Sequence, residues 1–542
     1  MKNNRLLVRV STVGCFVVLL SIVTAWGQTR KETIPQLIEK DGRHALLVDG
    51  QPYLILGGQA HNSSAWPGMM PQVWTAIKSM HANTLEVPIY WEQIEPQPGK
   101  YDFSLVDTLL KQGREHNVRL VLLWFATWKN GSNHYMPEWM KSDAVKYPNI
   151  TGKNGRPVDS PSSHTQAAME ADAKAFAAIM SYLKKADPQY TVLMVQVQNE
   201  PGSWGSVRDF SPAAQKLIEG QVPAELLKTE VLKALNRPAD AKGTWQEVFG
   251  TDADEYFHAW SVARYIGYVA AAGKAVNKLP LYVNAALRDP ITNPSASTYE
   301  SGGPTDNVIQ IWKAAAPAID LLAPDIYLSG SDKVLKVLEL YSRPDNALFV
   351  PEISSSEENT RYLYSVLASG GIGFSPFGID RNNLASEEEN ATRLAPVALE
   401  YAMAGTMMRD LAKWAFEGKI KAVVEREDHA EQTIDLGLWQ ATISFGAARR
   451  NTVQVNAKPV SKAMVVQLGE NEFLLIGTLC HFTFKPLGVT SGKAWQYLKV
   501  EEGRYENGKF KLLRILNGDE TDWGGPRIGA APSVLHTTLT IR

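Results

Sequence analysis

Two glutamates stand where this chain is equipped for chemistry. Val195-Gln196-Val197-Gln198-Asn199-Glu200-Pro201 puts Glu200 directly after an apolar run, with an amide beside it. Leu348-Phe349-Val350-Pro351-Glu352-Ile353 places Glu352 in the same way. Either glutamate alone reads equally well as a surface carboxylate capping the next helix. Two carboxyls that face each other are what glycoside hydrolysis requires: one protonates the leaving oxygen while the other stabilises or attacks the anomeric carbon. The side chain of Asn199 suits the sugar 2-hydroxyl, a contact that strengthens in the transition state. His61, after the first apolar run, is a further candidate sugar contact. Other chemistries lack their signatures. There is no His-Glu-x-x-His and the ten histidines are scattered, so neither a catalytic metal nor another cofactor is expected. No Gly-x-Ser-x-Gly elbow occurs.

The glutamates can meet only if the elements behind them bring them to one rim. From residue 50 onward, short apolar runs alternate with amphipathic stretches. Expected strands are Tyr53 to Gly58, Thr84 to Ile89, Arg119 to Phe125, Thr191 to Gln198, Leu281 to Asn284, Ile319 to Tyr327, Ala347 to Glu352 and Gly371 to Pro376. Their near-continuous apolarity suits parallel strands covered on both faces. Eight such units predict an α/β fold, a (β/α)8 TIM barrel over residues 28–419, with long excursions after strands three and four. An open doubly wound sheet competes, but no Gly-rich phosphate loop follows the first strand. In a barrel the strand ends carry the chemistry, and strands four and seven lie on roughly opposite sides of the mouth. From about residue 420 the pattern changes to short β-like runs such as Ala463 to Leu468, Glu472 to Gly477 and Leu535 to Ile541. This predicts a β-sandwich over 420–542.

The motifs carry a resemblance. Gly57-Gly58-Gln59-Ala60-His61, Trp74 with Met80, Asn83-Thr84-Leu85-Glu86-Val87, and Tyr90 through Phe103 resemble the family 35 β-galactosidases. These belong to the retaining barrel clan that sets its acid/base after strand four and its nucleophile after strand seven. The Trp-x-x-x-Glu-Pro-x-x-Gly-x-x-Asp-Phe portion is shared with family 42. The resemblance spans residues 50 to about 380. It implies Glu200 as acid/base, Glu352 as nucleophile, Asn199 on the 2-hydroxyl and Tyr327 as hydrogen-bond donor to the nucleophile. Two stretches depart from the family pattern. Pro88 stands where strand two usually has Tyr, and Ala126-Thr127-Trp128-Lys129-Asn130-Gly131 replaces an Ala-Glu pair that grips the sugar. Lys129 or Asn130 then takes over that grip. The resemblance implies an exo-acting β-galactosidase working by double displacement, with galactose favoured over xylose, arabinose or mannose. Another clan glycosidase (a xylosidase, arabinosidase, mannanase or agarase) and a non-catalytic carbohydrate-binding barrel stay open.

Composition agrees with a carbohydrate-active enzyme and excludes other classes. The chain has 542 residues, 44% hydrophobic, and a net charge of −2, which is unlike a nucleic-acid binder or a disordered chain. Of its 15 Trp, Trp128 and Trp204 follow strands three and four and are candidates for contact with an oligosaccharide or polysaccharide fragment. Two cysteines give no disulfide framework. Residues 1–27 read as a signal peptide, with Lys2, Arg5 and Arg9 before an apolar run from Val10 to Val23. A periplasmic or secreted protein without a membrane span is the expectation. The sandwich has three candidate uses: binding polysaccharide, an oligomer contact, or buttressing the barrel.

Overall fold

The computed structural model describes residues 33–380, 386–449, 452–454, 456–506 and 508–542. The leader expected over 1–27, and Asn507 in a turn expected at 506–509, lie outside them. A three-stranded antiparallel meander (Gln36–Lys40, Arg43–Val48, Gln51–Tyr53) opens the described chain. Tyr53, expected in the first barrel strand, belongs to this meander.

Eight strands then close into a barrel: β1 (Ile55–Gln59), β2 (Thr84–Tyr90), β3 (Arg119–Lys129), β4 (Val192–Asn199), β5 (Leu281–Ala286), β6 (Leu321–Ile326), β7 (Phe349–Ile353) and β8 (Gly373–Pro376). Each is parallel to its neighbours, and β8 pairs with β1 to close the ring. Between and after them run α1 (Met70–Ser79), α2 (Ser104–Glu115), α3 (Gln166–Ala186), α4 (Ala253–Val276), α5 (Ile309–Ala315), α6 (Ser331–Tyr341), α7 (Tyr362–Ala368) and α8 (Glu387–Gly405). Every residue of β2, β4, β6 and β7 is buried. Side chains fill the barrel and helices cover its outside, which is why the sequence shows apolar runs instead of alternation. The excursion after β3 holds an antiparallel pair, Asn149–Thr151 with Pro157–Pro161. The one after β4 holds three short helices before α4.

The motif Trp91 to Phe103 turns out to be a brace beyond β2. The Trp91 indole donates to Glu95 Oε2 at 2.8 Å, and Glu95 Oε1 accepts from the N–H of Gly99 at 2.6 Å. Gly99 has φ +74°, a left-handed turn conformation that glycine adopts without strain. The motif therefore shapes the chain between β2 and α2.

Beyond residue 416 the described residues form two larger antiparallel sheets and a two-stranded one (Ala447–Arg449 with Thr452–Gln454). One has six strands in the spatial order Ile420–Val424, Lys462–Gln467, Glu472–Thr478, Ser533–Ile541, Trp495–Glu506 and Lys509–Ile515. The other has four: Gln432–Asp435, Trp439–Phe445, Cys480–Pro486 and Arg527–Ile528. Strand alternation decides what each face covers. Ala463, Val465, Phe473 and Leu475 face the four-stranded sheet and share a core with Trp439, Ile443 and Phe482. Met464, Val466, Leu474 and Ile476 point the other way and join the core of the barrel. The six-stranded sheet is thus buried on both faces along these strands, which explains their unbroken apolar runs. Glu400 of α8 anchors the contact. Its Oε1 accepts from Lys462 Nζ at 2.9 Å and Thr478 Oγ1 at 3.0 Å, and its Oε2 from Tyr364 Oη at 3.0 Å. Cys480 is buried and free.

Candidate active site

Glu200 and Glu352 meet at the C-terminal mouth of the barrel. Together with Asp325 of β6 they bring one carboxyl oxygen each to within 4.8 Å of the others. Glu352 sits in β7, 4% exposed. Gln59 Nε2 donates to its Oε1 at 2.8 Å, Asn199 Nδ2 to the same oxygen at 3.4 Å, and Tyr327 Oη to its Oε2 at 3.0 Å. Glu352 is the acceptor in all three.

The bend that presents Glu200 is strained. Gln198 has φ +68° and Glu200 φ +41°, both in the left-handed region that residues with a Cβ rarely occupy. The surroundings over-determine this conformation. Gln198 Nε2 donates to Asp172 Oδ2 of α3 at 2.6 Å, and its Oε1 accepts from the N–H of Trp128 at 2.9 Å. Asp172 also accepts from Trp124 Nε1 and Thr127 Oγ1. The N–H of Glu200 donates to Asn284 Oδ1 at 2.9 Å, and its carbonyl accepts from the N–H of Gly131 at 3.0 Å. Burial, then the nearby Glu352, pushes the Glu200 carboxyl up to about 7, against the pull of Lys129.

Lys129, the last residue of β3, is buried and donates to Asn199 Oδ1 at 2.6 Å and to Asn130 Oδ1. A lysine donates only, so it fixes which end of the Asn199 amide is oxygen and turns Nδ2 toward Glu352. Asn130 lies exposed on the rim at φ +52°. Trp204 is 53% exposed, beside the buried Glu300. Gly131 makes room for this pair: a Cβ there would stand 2.4 Å from Glu300 Oε1.

One expected contact, Trp128, falls elsewhere. Trp128 is only 1% exposed, its ring edge-on to Tyr265 of α4 at 4.9 Å, so it packs into the helix layer and offers no face to a ligand. The register of β3 slips between Trp124 and Lys129, and this turns Lys129 inward while Trp128 points out. His61 sits at the seam of β1 and β8. Among the described residues its ring meets Asp380, Nδ1 to Oδ1 at 2.9 Å, and Phe377.

Sequence reasoning missed Gln59, Asn284, Glu300 and Asp325. Asp325 ends an apolar strand, the same signal that marked the two glutamates. Asn284 Nδ2 donates to its Oδ2 at 2.6 Å. Beneath the pair, Glu86 of β2 accepts from Tyr282 Oη at 3.1 Å, and burial holds its carboxyl well above the usual carboxylate range. The trio Glu200, Asp325 and Glu352 is also the one cluster with metal-ligand spacing among the described residues. Amide and phenol donors occupy both oxygens of Glu352 and Oδ2 of Asp325.

Residues 64–236 match the glycoside hydrolase family 42 described as Beta-galactosidase. That match takes in the barrel from the loop before α1 to beyond β4. The motifs had pointed to family 35, and the match covers the Trp91 to Phe103 motif that the two families share. Residues 397–525 match a domain of unknown function, DUF5597. The chain is 28% identical over 104 residues to Beta-galactosidase 11 of Arabidopsis thaliana, covering 18% of this chain and 12% of that one. It is 26% identical over 163 residues to a Beta-galactosidase of Xanthomonas manihotis, covering 29% of this chain and 25% of that one. The aligned stretches therefore span about an eighth to a quarter of these curated relatives. Among solved structures, a β-galactosidase from Bacillus circulans sp. alkalophilus has a TM-score of 0.48 at 14% identity, over 66% of this chain and 57% of that one. The catalytic domain of a β-amylase from Paenibacillus polymyxa has a TM-score of 0.49 at 13% identity, over 64% and 97%.

Proposed function

We propose that the enzyme is an exo-acting, retaining β-galactosidase that removes terminal β-linked galactose from oligosaccharides or plant polysaccharide fragments. The observation that carries this reading is the carboxyl spacing. Retaining enzymes hold their two carboxyls about 5–5.5 Å apart, whereas inverting ones leave about 6.5–9.5 Å for a water. Oxygens of Glu200 and Glu352 within 4.8 Å of each other fit the first class.

Glu352, steadied by Gln59, Asn199 and Tyr327, attacks the anomeric carbon. Glu200, protonated up to a pH of about 7, gives its proton to the departing oxygen. Glu200 then takes a proton from a water, which releases the sugar with its configuration retained. Lys129 holds the Asn199 amide toward the sugar 2-hydroxyl. Trp204 and Asn130 lie beside Glu200, on the side where the leaving group departs. His61, held by Asp380, reaches the sugar from the opposite rim. A signal peptide at the N-terminus would deliver this activity to the periplasm or the medium, where such fragments occur.

A panel of nitrophenyl glycosides tests the reading. Turnover of the β-galactoside above the xyloside, arabinoside and mannoside supports it. A clear preference for one of the others would assign the barrel to a different clan activity, and sugar binding without any turnover would make it a binding protein.

A further inference from the structure

We propose that Asp325 is a third working carboxyl of this site, a positioning residue whose O–H donates to Glu200 and stabilises the carboxylate that forms as Glu200 gives up its proton. The inference rests on the reading of Glu200 as the acid/base.

Its first support is register. Asp325 pairs with Glu352 across the parallel strands β6 and β7, so the two side chains leave the sheet at the same level and on the same face. The second is the pattern of partners. Asp325 is 2% exposed, and Asn284 Nδ2 takes its Oδ2 at 2.6 Å. No N–H or hydroxyl of the described residues is aimed at its buried Oδ1. The carboxyl of Glu200 brings an oxygen to within 4.8 Å of an oxygen of Asp325. Asn284 brackets the two, holding Asp325 with its nitrogen and the backbone of Glu200 with its oxygen. The third is charge. Glu200, Glu352, Tyr282, Tyr327 and Tyr341 face Asp325 from the neighbouring strands and helix, and Lys129 acts on Glu200 from β3. Three carboxyls crowded together against one lysine retain protons that isolated carboxyls would lose at neutral pH.

The proton count closes. In the resting site Glu200 and Asp325 are both protonated. Glu200 passes its proton to the leaving oxygen as the glycosidic bond breaks and Glu352 bonds to the anomeric carbon, and the Asp325 O–H donates to the new carboxylate. Water then gives a proton to Glu200 as the water oxygen bonds to the anomeric carbon and the bond from that carbon to Glu352 breaks. Asp325 keeps its proton throughout.

The test compares Asp325→Asn with Asp325→Leu in the full chain, on two β-galactosides. One is a dinitrophenyl galactoside, whose leaving group needs no proton; the other is a galactosyl disaccharide, whose leaving group does. In Asp325→Asn the new amide would keep an N–H toward Glu200, because Asn284 takes its oxygen. Asp325→Asn is expected to stay within about tenfold of the parent on both substrates. Asp325→Leu is expected to lose about 10²-fold in kcat on the disaccharide, the scale for one donor to a developing anion, and far less on the dinitrophenyl galactoside. Equal losses on both substrates would overturn the proposal and mark Asp325 as merely structural. So would equal losses in both variants. Activity abolished by EDTA and restored by a divalent cation would also overturn it, since the trio would then be a metal site. Glu200→Ala serves as the control for the underlying reading. If its kcat/KM on the dinitrophenyl substrate, which reports only the first step, is not spared, the assignment of Glu200 is at fault; if it is spared, the two Asp325 variants decide the role of Asp325 alone.

Discussion

Two buried acid clusters in this molecule are built in opposite ways. At the contact between barrel and sheets, Glu400 has a cation and two hydroxyls on its oxygens, and every partner is accounted for. At the barrel mouth, three carboxyls confront one another with one lysine nearby. An oxygen of Asp325 lacks a donor, and the backbone is strained at Gln198 and Glu200. The first arrangement minimises the cost of burying charge and fixes two layers together. The second stores that cost where a proton has to move. A buried carboxyl is therefore read by what faces it: a cation and hydroxyls mark a joint, and like charges at a strand end mark a working site.

The largest effect should come from breaking the mouth. Glu200→Gln should lower kcat on a galactosyl disaccharide by about 10²–10⁴-fold, the usual worth of a general acid–base group. Glu352→Gln should lower it further, because the covalent step itself is lost. Steady-state kinetics with circular dichroism to check folding reads both, and parent-like turnover in either would remove that residue from the mechanism.

Breaking the joint should leave chemistry alone and cost stability. Lys462→Met strands the Glu400 charge and is expected to cost about 3–5 kcal/mol in urea unfolding, with kcat of the folded enzyme unchanged at 25 °C. Adding Glu400→Leu should recover most of that loss. A drop in kcat without a drop in stability would erase the contrast between the clusters.

The legibility of the two clusters in the sequence differs for a physical reason. Eight apolar runs and two glutamates at their ends were enough to place Glu200 and Glu352 on one rim, because parallel strands carry their chemistry at one end. Asp325 shows the same local signal, but its pairing with Glu352 exists only once β6 and β7 are in register. Trp128 falls outside the cleft because the slip in β3 reverses which side chains point inward, and no local pattern announces it. The Glu400 joint was invisible, since Lys462 and Glu400 come together only through the docking of a sheet onto α7 and α8.

Acidity gives the next effect. Glu200 must be protonated to act, so kcat/KM should fall as pH rises through about 7. Stability follows the same group with a definite sign. Its carboxyl titrates near 7 in the fold and near 4.5 when unfolded, so its burial costs nothing below 4.5 and the full amount above 7. Glu200→Gln should therefore raise Tm by a few degrees at pH 8 and leave it unchanged at pH 4. A variant no more stable than the parent at pH 8 would mean that the mouth stores no such cost.

The smallest effect concerns the rim. Trp204→Ala should raise KM for a galactosyl disaccharide about fivefold, from about 1 kcal/mol of lost ring contact, with little change in kcat. An unchanged KM would move the leaving-group side away from Trp204.

The central claim, that Glu352 attacks while Glu200 serves it across the barrel mouth, is tested most directly by trapping. The enzyme is incubated with a 2-deoxy-2-fluoro-β-galactoside carrying a good leaving group, digested, and its peptides weighed. One fluorogalactosyl group on the peptide that contains Glu352 is the expected result. An active enzyme that gains no label, or carries it on another carboxyl, would contradict the account.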